Sequence, residues 1–146
     1  MKFTCSVIVE KPLQVVADYF ANPDYLKEYQ EVYKKKELIS GETGKKDAIS
    51  TIWYGEGKRE MILTETIIKN DLPHEFIGHY HHKNMDNTMR SVFSEIDGQK
   101  TKYDAEVHYT AFRGFIVKMM VLFFPSVFKK QVQKWLNNFK TFVESQ

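Results

Sequence analysis

His79, His81 and His82 crowd one short stretch, and the first two fall on the same side of any strand that carries them, the spacing of a two-histidine metal site. A structural or catalytic metal needs three or four ligands. No Cys or acidic residue stands at a matching offset, and His108 is expected on the outer face of a strand that does not neighbour this one. The histidines therefore read as surface residues, and no metal is expected. Gly55-Glu56-Gly57-Lys58 superficially has the makings of a phosphate loop but lacks the full glycine spacing and separates two strands, so it reads as a hairpin turn. Glu65 interrupts the apolar run Met61-Ile62-Leu63-Thr64-Glu65-Thr66-Ile67-Ile68. Turned inward, it would have a raised pKa and could serve as a general acid; because acidic residues are seldom buried unpaired, we expect it to face water. Tyr54, Tyr80, Tyr103 and Tyr109 offer hydroxyls that can hold the polar end of a greasy ligand, or are core aromatics whose hydroxyls reach the rim; their types and spacing leave both open. No catalytic motif emerges; Glu65 and Arg90 are weak catalytic candidates, and a tyrosine is a further candidate for proton transfer.

The elements that would position these groups follow from periodicity. Phe3 to Val9 alternates and is β-branched, and Pro12 suits the first turn of a helix whose apolar residues Val16, Ala17 and Phe20 lie at helical spacing. Asn22-Pro23-Asp24 breaks that helix before a second short one carrying Tyr25, Leu26 and Tyr29. From Val32 onward six strands are separated by gaps at 41–44, 55–57, 70–73, 83–87 and 97–98. Loops this short join antiparallel neighbours, so the sheet is a meander. The last strand places Thr101, Tyr103, Ala105, Val107 and Tyr109 on its inner face. In the strand before it, a two-residue turn at Asp97-Gly98 would turn Arg90 inward, whereas a one-residue bulge would turn Met89, Ser91 and Phe93 inward; we favour the apolar set. Seven of the eleven phenylalanines lie from Phe112 onward. Phe128, Val132, Trp135, Leu136, Phe139, Phe142 and Val143 form a helical stripe, and Pro125 should kink that segment or start a new helix.

The order of elements and several local stretches resemble the START-like superfamily, also called SRPBCC or the polyketide cyclase/dehydrase and lipid-transport family. Val7-Ile8-Val9-Glu10-Lys11-Pro12-Leu13-Gln14-Val15-Val16 is similar to that family's first strand running into a proline-started helix, and Phe20-Ala21-Asn22-Pro23-Asp24 to its helix break. Asp71-Leu72-Pro73-His74-Glu75-Phe76 is similar to its proline turn between middle strands, and Trp135-Leu136-Asn137-Asn138-Phe139-Lys140 to its closing helix. The resemblance implies an α+β helix-grip fold: a curved seven-stranded antiparallel sheet wrapped around a long C-terminal helix, with two short helices after strand one and an apolar cavity between sheet and helix. Members bind lipids, sterols, quinones, hormones or polyketides, and some catalyse cyclisation or dehydration. None of their acid/base residues can be matched here, and one fold hosts many roles.

Composition sets the remaining bounds. The 146 residues, 42% hydrophobic and 27% charged, suit one START-like domain over 1–146 with a substantial core. A net charge of +2 gives no bulk signal for nucleic acid. Cys5 is the only cysteine, which excludes an internal disulfide, and no signal peptide precedes the first strand, so we expect a cytoplasmic protein. From Ile116 to Gln146 five lysines face one acid, Glu144. A basic amphipathic helix can lie on an anionic membrane, so transient membrane-surface contact through the C-terminal helix stays open; more often such lysines, like those at Lys34-Lys35-Lys36, form a solvated face. The expected function is binding of a small hydrophobic or amphipathic ligand without cofactor. Its walls would be Tyr54, Leu63, Tyr80, Tyr103, Val107, Tyr109, Phe128, Val132, Trp135 and Phe139, with an entrance near Phe20, Tyr25 and Phe123-Phe124-Pro125. The alternatives are a cyclase/dehydratase-type enzyme in the same cavity and a ligand-free interaction module with a collapsed core.

Overall fold

Alternating residues build the first and the last strand, which pair with each other. The computed structural model describes residues 1–146. Strand β1 (Lys2–Val9) pairs antiparallel with β7 (Lys100–Phe112), and between them run helix α1 (Leu13–Ala21), a 3₁₀ turn (Pro23–Tyr25), helix α2 (Leu26–Tyr29) and strands β2 (Tyr33–Ser40), β3 (Ile49–Tyr54), β4 (Met61–Asp71), β5 (Glu75–His82) and β6 (Met85–Asp97). Helices α3 (Phe115–Phe123) and α4 (Ser126–Glu144) complete the chain. The sheet order β1-β7-β6-β5-β4-β3-β2 is a six-strand meander with the first strand added at its far edge, as the short gaps predict. Pro12 caps α1, and Pro125 separates α3 from α4, so the proline starts a new helix.

Two bulges decide which side chains point inward. Between Glu95 and Asp97 the β6 register shifts by one, pairing Phe93 with Tyr103 and Arg90 with Glu106, so Met89, Ser91 and Phe93 face inward. Between Tyr33 and Lys35 a second shift places Lys36 opposite Ile52 and turns it inward, while Lys35 lies outside over the Trp53 ring. The helical stripe of α4 buries Val132, Leu136, Phe139 and Val143, where they meet Cys5 and Val9 of β1, Val16 of α1, Phe93 of β6 and Tyr103, Ala105 and Val107 of β7. Its polar side chains also hold the edge strand: Lys140 Nζ donates to the Ile8 carbonyl at 2.7 Å and Gln133 Nε2 to that of Ser6 at 3.0 Å. At the other end, Arg113 donates to the His82 carbonyl and the Asp86 carboxylate, tying the β5–β6 hairpin to the end of β7. No residue of β2, β3, β4 or β5 belongs to this core cluster. The packed interior lies under β1, β7 and β6, and the opposite wall of the curved sheet stands away from it.

Candidate functional site

The space between that wall and the N-terminal half of α4 is a cavity of about 1250 Å³, lined mostly by hydrophobic side chains. All ten residues expected to form the walls line it: Tyr54, Leu63, Tyr80, Tyr103, Val107 and Tyr109 from the sheet, and Phe128, Val132, Trp135 and Phe139 from α4. Each owes its place to period two on a strand or to three-four spacing on α4. Trp135 stacks on Tyr54 with ring centroids 5.8 Å apart, and Phe128 meets Tyr109 edge-on at 5.2 Å. Tyr80 lies back over Gly78 on the same strand, so closely that a β-carbon at Gly78 would stand 2.6 Å from its hydroxyl oxygen. The glycine leaves room for the ring to lie against the sheet instead of across the cavity.

Phe20 lines the cavity, its ring edge-on against Phe76, Phe93, Tyr103 and Phe139, and the exposed Ala21, Asp24 and Lys27 beside it also line the cavity, whereas Tyr25 is engaged with Tyr19 and Phe142 and does not. Phe123 and Phe124 are exposed and do not line the cavity, although Val127 and Phe128 just beyond them do.

Exposed polar side chains such as Lys27, Glu31, Lys34 and Asn70 rim the cavity, and a few polar groups lie buried on its wall. Glu65 is 5% exposed, opposite Ser50 on β3 and Tyr80 on β5. This overturns the expectation that it faces water: Glu65 and Leu63 are two residues apart on one strand, so a wall that contains Leu63 contains Glu65 as well. Lys36 supplies the missing partner, its Nζ 2.7 Å from Glu65 Oε1. That contact neutralises charge without hydrogen-bond alignment, and Oε1 accepts no hydrogen bond. The Trp135 indole N–H is likewise buried and without an acceptor. Tyr54 donates to Gln30 Oε1 at 2.7 Å, and the Tyr103 and Ser91 hydroxyls share a hydrogen bond at 3.1 Å. Burial pushes the Tyr54, Tyr80 and Tyr103 phenols well up and that of Tyr109 to about 12; the Glu65 charge adds to the effect at Tyr54 and Tyr80. All four stay neutral hydrogen-bonding groups at ordinary pH.

Arg90 is not part of the site. The bulge after Glu95 turns it to the outer face, where its half-exposed side chain bridges Glu75 and Glu106, so the catalytic candidacy of Arg90 is withdrawn. His79 and His81 also lie outside, His81 against Asp86, and no group of three metal-ligating side chains forms. Lys36, Ser50, Asn87, Met89 and Gln131 line the cavity too. Lys36 escaped the sequence reading because the β2 bulge inverts the alternation of a lysine run that otherwise looks solvated.

No family model and no curated protein sequence matches the chain. Solved structures do. The chain is similar to the Zhui aromatase/cyclase from Streptomyces sp. R1128 at 10% identity and a TM-score of 0.81, covering 99% of this chain and 93% of that one. It is similar to a START superfamily protein from Mycobacterium smegmatis at 5% identity and a TM-score of 0.79, covering 99% and 97%. Against the major latex-like protein 151 of Panax ginseng the identity is 13% and the TM-score 0.73, covering 97% and 96%. At such identities the likeness is one of fold: this chain has the START-like helix-grip fold.

Proposed function

We propose that the chain binds a small hydrophobic or amphipathic molecule, of the lipid, quinone or polyketide kind, between the sheet and α4. The observation that carries this reading is the cavity of about 1250 Å³ itself. Apolar walls on a solvent-open cleft of this size are unfavourable to leave in water, so an apolar occupant is favoured. Ligand pockets of about 300–1,000 Å³ enclose most of a drug-sized molecule. A collapsed interaction module would have no such space. The ten wall residues would supply the apolar contact, while the Glu65–Lys36 pair on the wall would fix the ligand's polar end. The buried Cys5 thiol suits a reducing, cytoplasmic setting. Such ligands partition into lipid, and the basic C-terminal segment would give the chain a transient contact with an anionic membrane.

A second reading, a cofactor-independent cyclase or dehydratase, is favoured by one observation: Glu65 is the only buried carboxylate, and it stands on the cavity wall. The fold likeness to an aromatase/cyclase supports the same reading. Glu65 would then move a proton at the ligand.

The deciding experiment is organic extraction of natively purified protein with mass spectrometry of the extract, followed by thermal unfolding with added fatty acids, quinones and aromatic polyketides. We expect a stoichiometric hydrophobic molecule, or a ligand that at 100 times its Kd stabilises by about 2.7 kcal/mol. Leu63→Trp, which projects a larger ring into the cavity, should reduce that stabilisation. An empty protein that no compound stabilises would overturn the binding reading. Retained affinity with lost turnover in Glu65→Gln would favour the enzyme.

A further inference from the structure

Helix α3 buries a single residue, Val117. Phe115 is 77% exposed, Ile116 75% and Leu122 73%, and Phe123, Phe124 and Val127 continue the apolar surface around the corner into α4. A contiguous apolar patch of this kind marks a surface that something covers. It is not a spanning segment, since no helix is long and apolar enough to cross a bilayer.

Charge identifies the cover. From Val107 to Val143 the chain contains no acidic residue. Lys134 and Lys140 are paired with Glu31 and Glu144, but Lys118 in α3 and Lys129 and Lys130 in the first turn of α4 are exposed and form no ion pair. A second copy brought face to face would set these lysines against their own kind. An anionic lipid surface accepts both the apolar side chains and the cations. Position adds a third argument: Val127 lies both in this patch and on the cavity wall, next to the half-buried Phe128.

We propose that α3 and the Phe123–Val127 corner insert into the interface of an anionic bilayer, with Lys118, Lys129 and Lys130 among the headgroups and the α4 end of the cavity brought against lipid. The inference rests on the membrane contact proposed above and names its surface: α3, because the apolar stripe of α4 is buried in the core.

Co-sedimentation of the full chain with phosphatidylcholine vesicles, with and without phosphatidylserine, tests it. The wild type should pellet with the anionic vesicles only, and less as salt rises. Leu122→Ser/Phe123→Ser/Phe124→Ser should stay in the supernatant with its melting temperature unchanged, since those side chains are exposed. Lys129→Ala and Lys130→Ala should each weaken binding about fivefold. A wild type that does not pellet, or a triple variant that pellets as well as wild type, overturns the proposal. So does a concentration-dependent dimer that the triple variant abolishes, which would make the cover a second copy. Extraction and ligand-dependent unfolding of the same samples keep the two readings apart: cargo without vesicle binding sinks the contact alone, and vesicle binding by an empty protein that no compound stabilises sinks the cavity reading alone.

Discussion

Glu65 and Lys36 are the residues whose chemistry depends most on each other. The carboxylate is forced inward by its spacing from Leu63, and the lysine by the bulge between Tyr33 and Lys35. Removing one partner of a buried pair leaves an uncompensated charge, whereas removing both leaves a neutral wall. We therefore expect Lys36→Met to destabilise by about 3 kcal/mol and Lys36→Met/Glu65→Gln to recover most of that loss. Urea unfolding of the two single variants and the double variant measures the coupling; simple additivity would mean that the pair is solvated and Glu65 is not a buried charge. The pair also shows where residue-level reading stops. The expectation that Glu65 faces water was at odds with the alternation that ties it to Leu63, and nothing local marks the β2 bulge that delivers its cation.

At the scale of elements, β5 sets the depth of the cavity. Gly78 and Tyr80 share its inner face, and the absent β-carbon lets the tyrosine ring lie against the sheet. Gly78→Ala should lift that ring into the cavity. Its expected outcome is lower occupancy by a co-purified ligand with stability changed by less than about 1 kcal/mol, because the clash falls on a side chain that can move and not on backbone. Adding Tyr80→Leu to Gly78→Ala should restore occupancy; unchanged occupancy in the single variant would show that Tyr80 does not limit the space. The strands, the hairpins and the stripe of α4 were legible because they are periodic over many residues. The facing of β6 was legible only as two alternatives, since one extra residue inverts every side chain on a strand.

Across the whole molecule, the curved sheet keeps its phenols dry. Tyr29, Tyr33, Tyr54, Tyr80, Tyr103 and Tyr109 all ionise above the ordinary tyrosine value, chiefly because of burial. A group whose folded pKa is raised above its unfolded value of 10.0 contributes stability that is fully present below that pH and is lost as pH rises through the folded value, about 12 for Tyr109. Stability should therefore fall from about pH 10 upward. The phenolate absorbance of the buried tyrosines should appear together with unfolding followed by circular dichroism; phenolates that form well before unfolding would place those hydroxyls in water. The amino-acid sequence by itself determined the order of elements, the meander and the face of α4, because each is a repeat in hydrophobicity or a proline or glycine at a turn. It also named ten of the side chains that line the cavity. Only the tertiary structure decided that Lys36 and Glu65 meet on that wall, that Arg90 leaves it, and that α3 remains uncovered. Bulges act over one residue and burial over the whole sheet, and neither leaves a periodic trace along the chain.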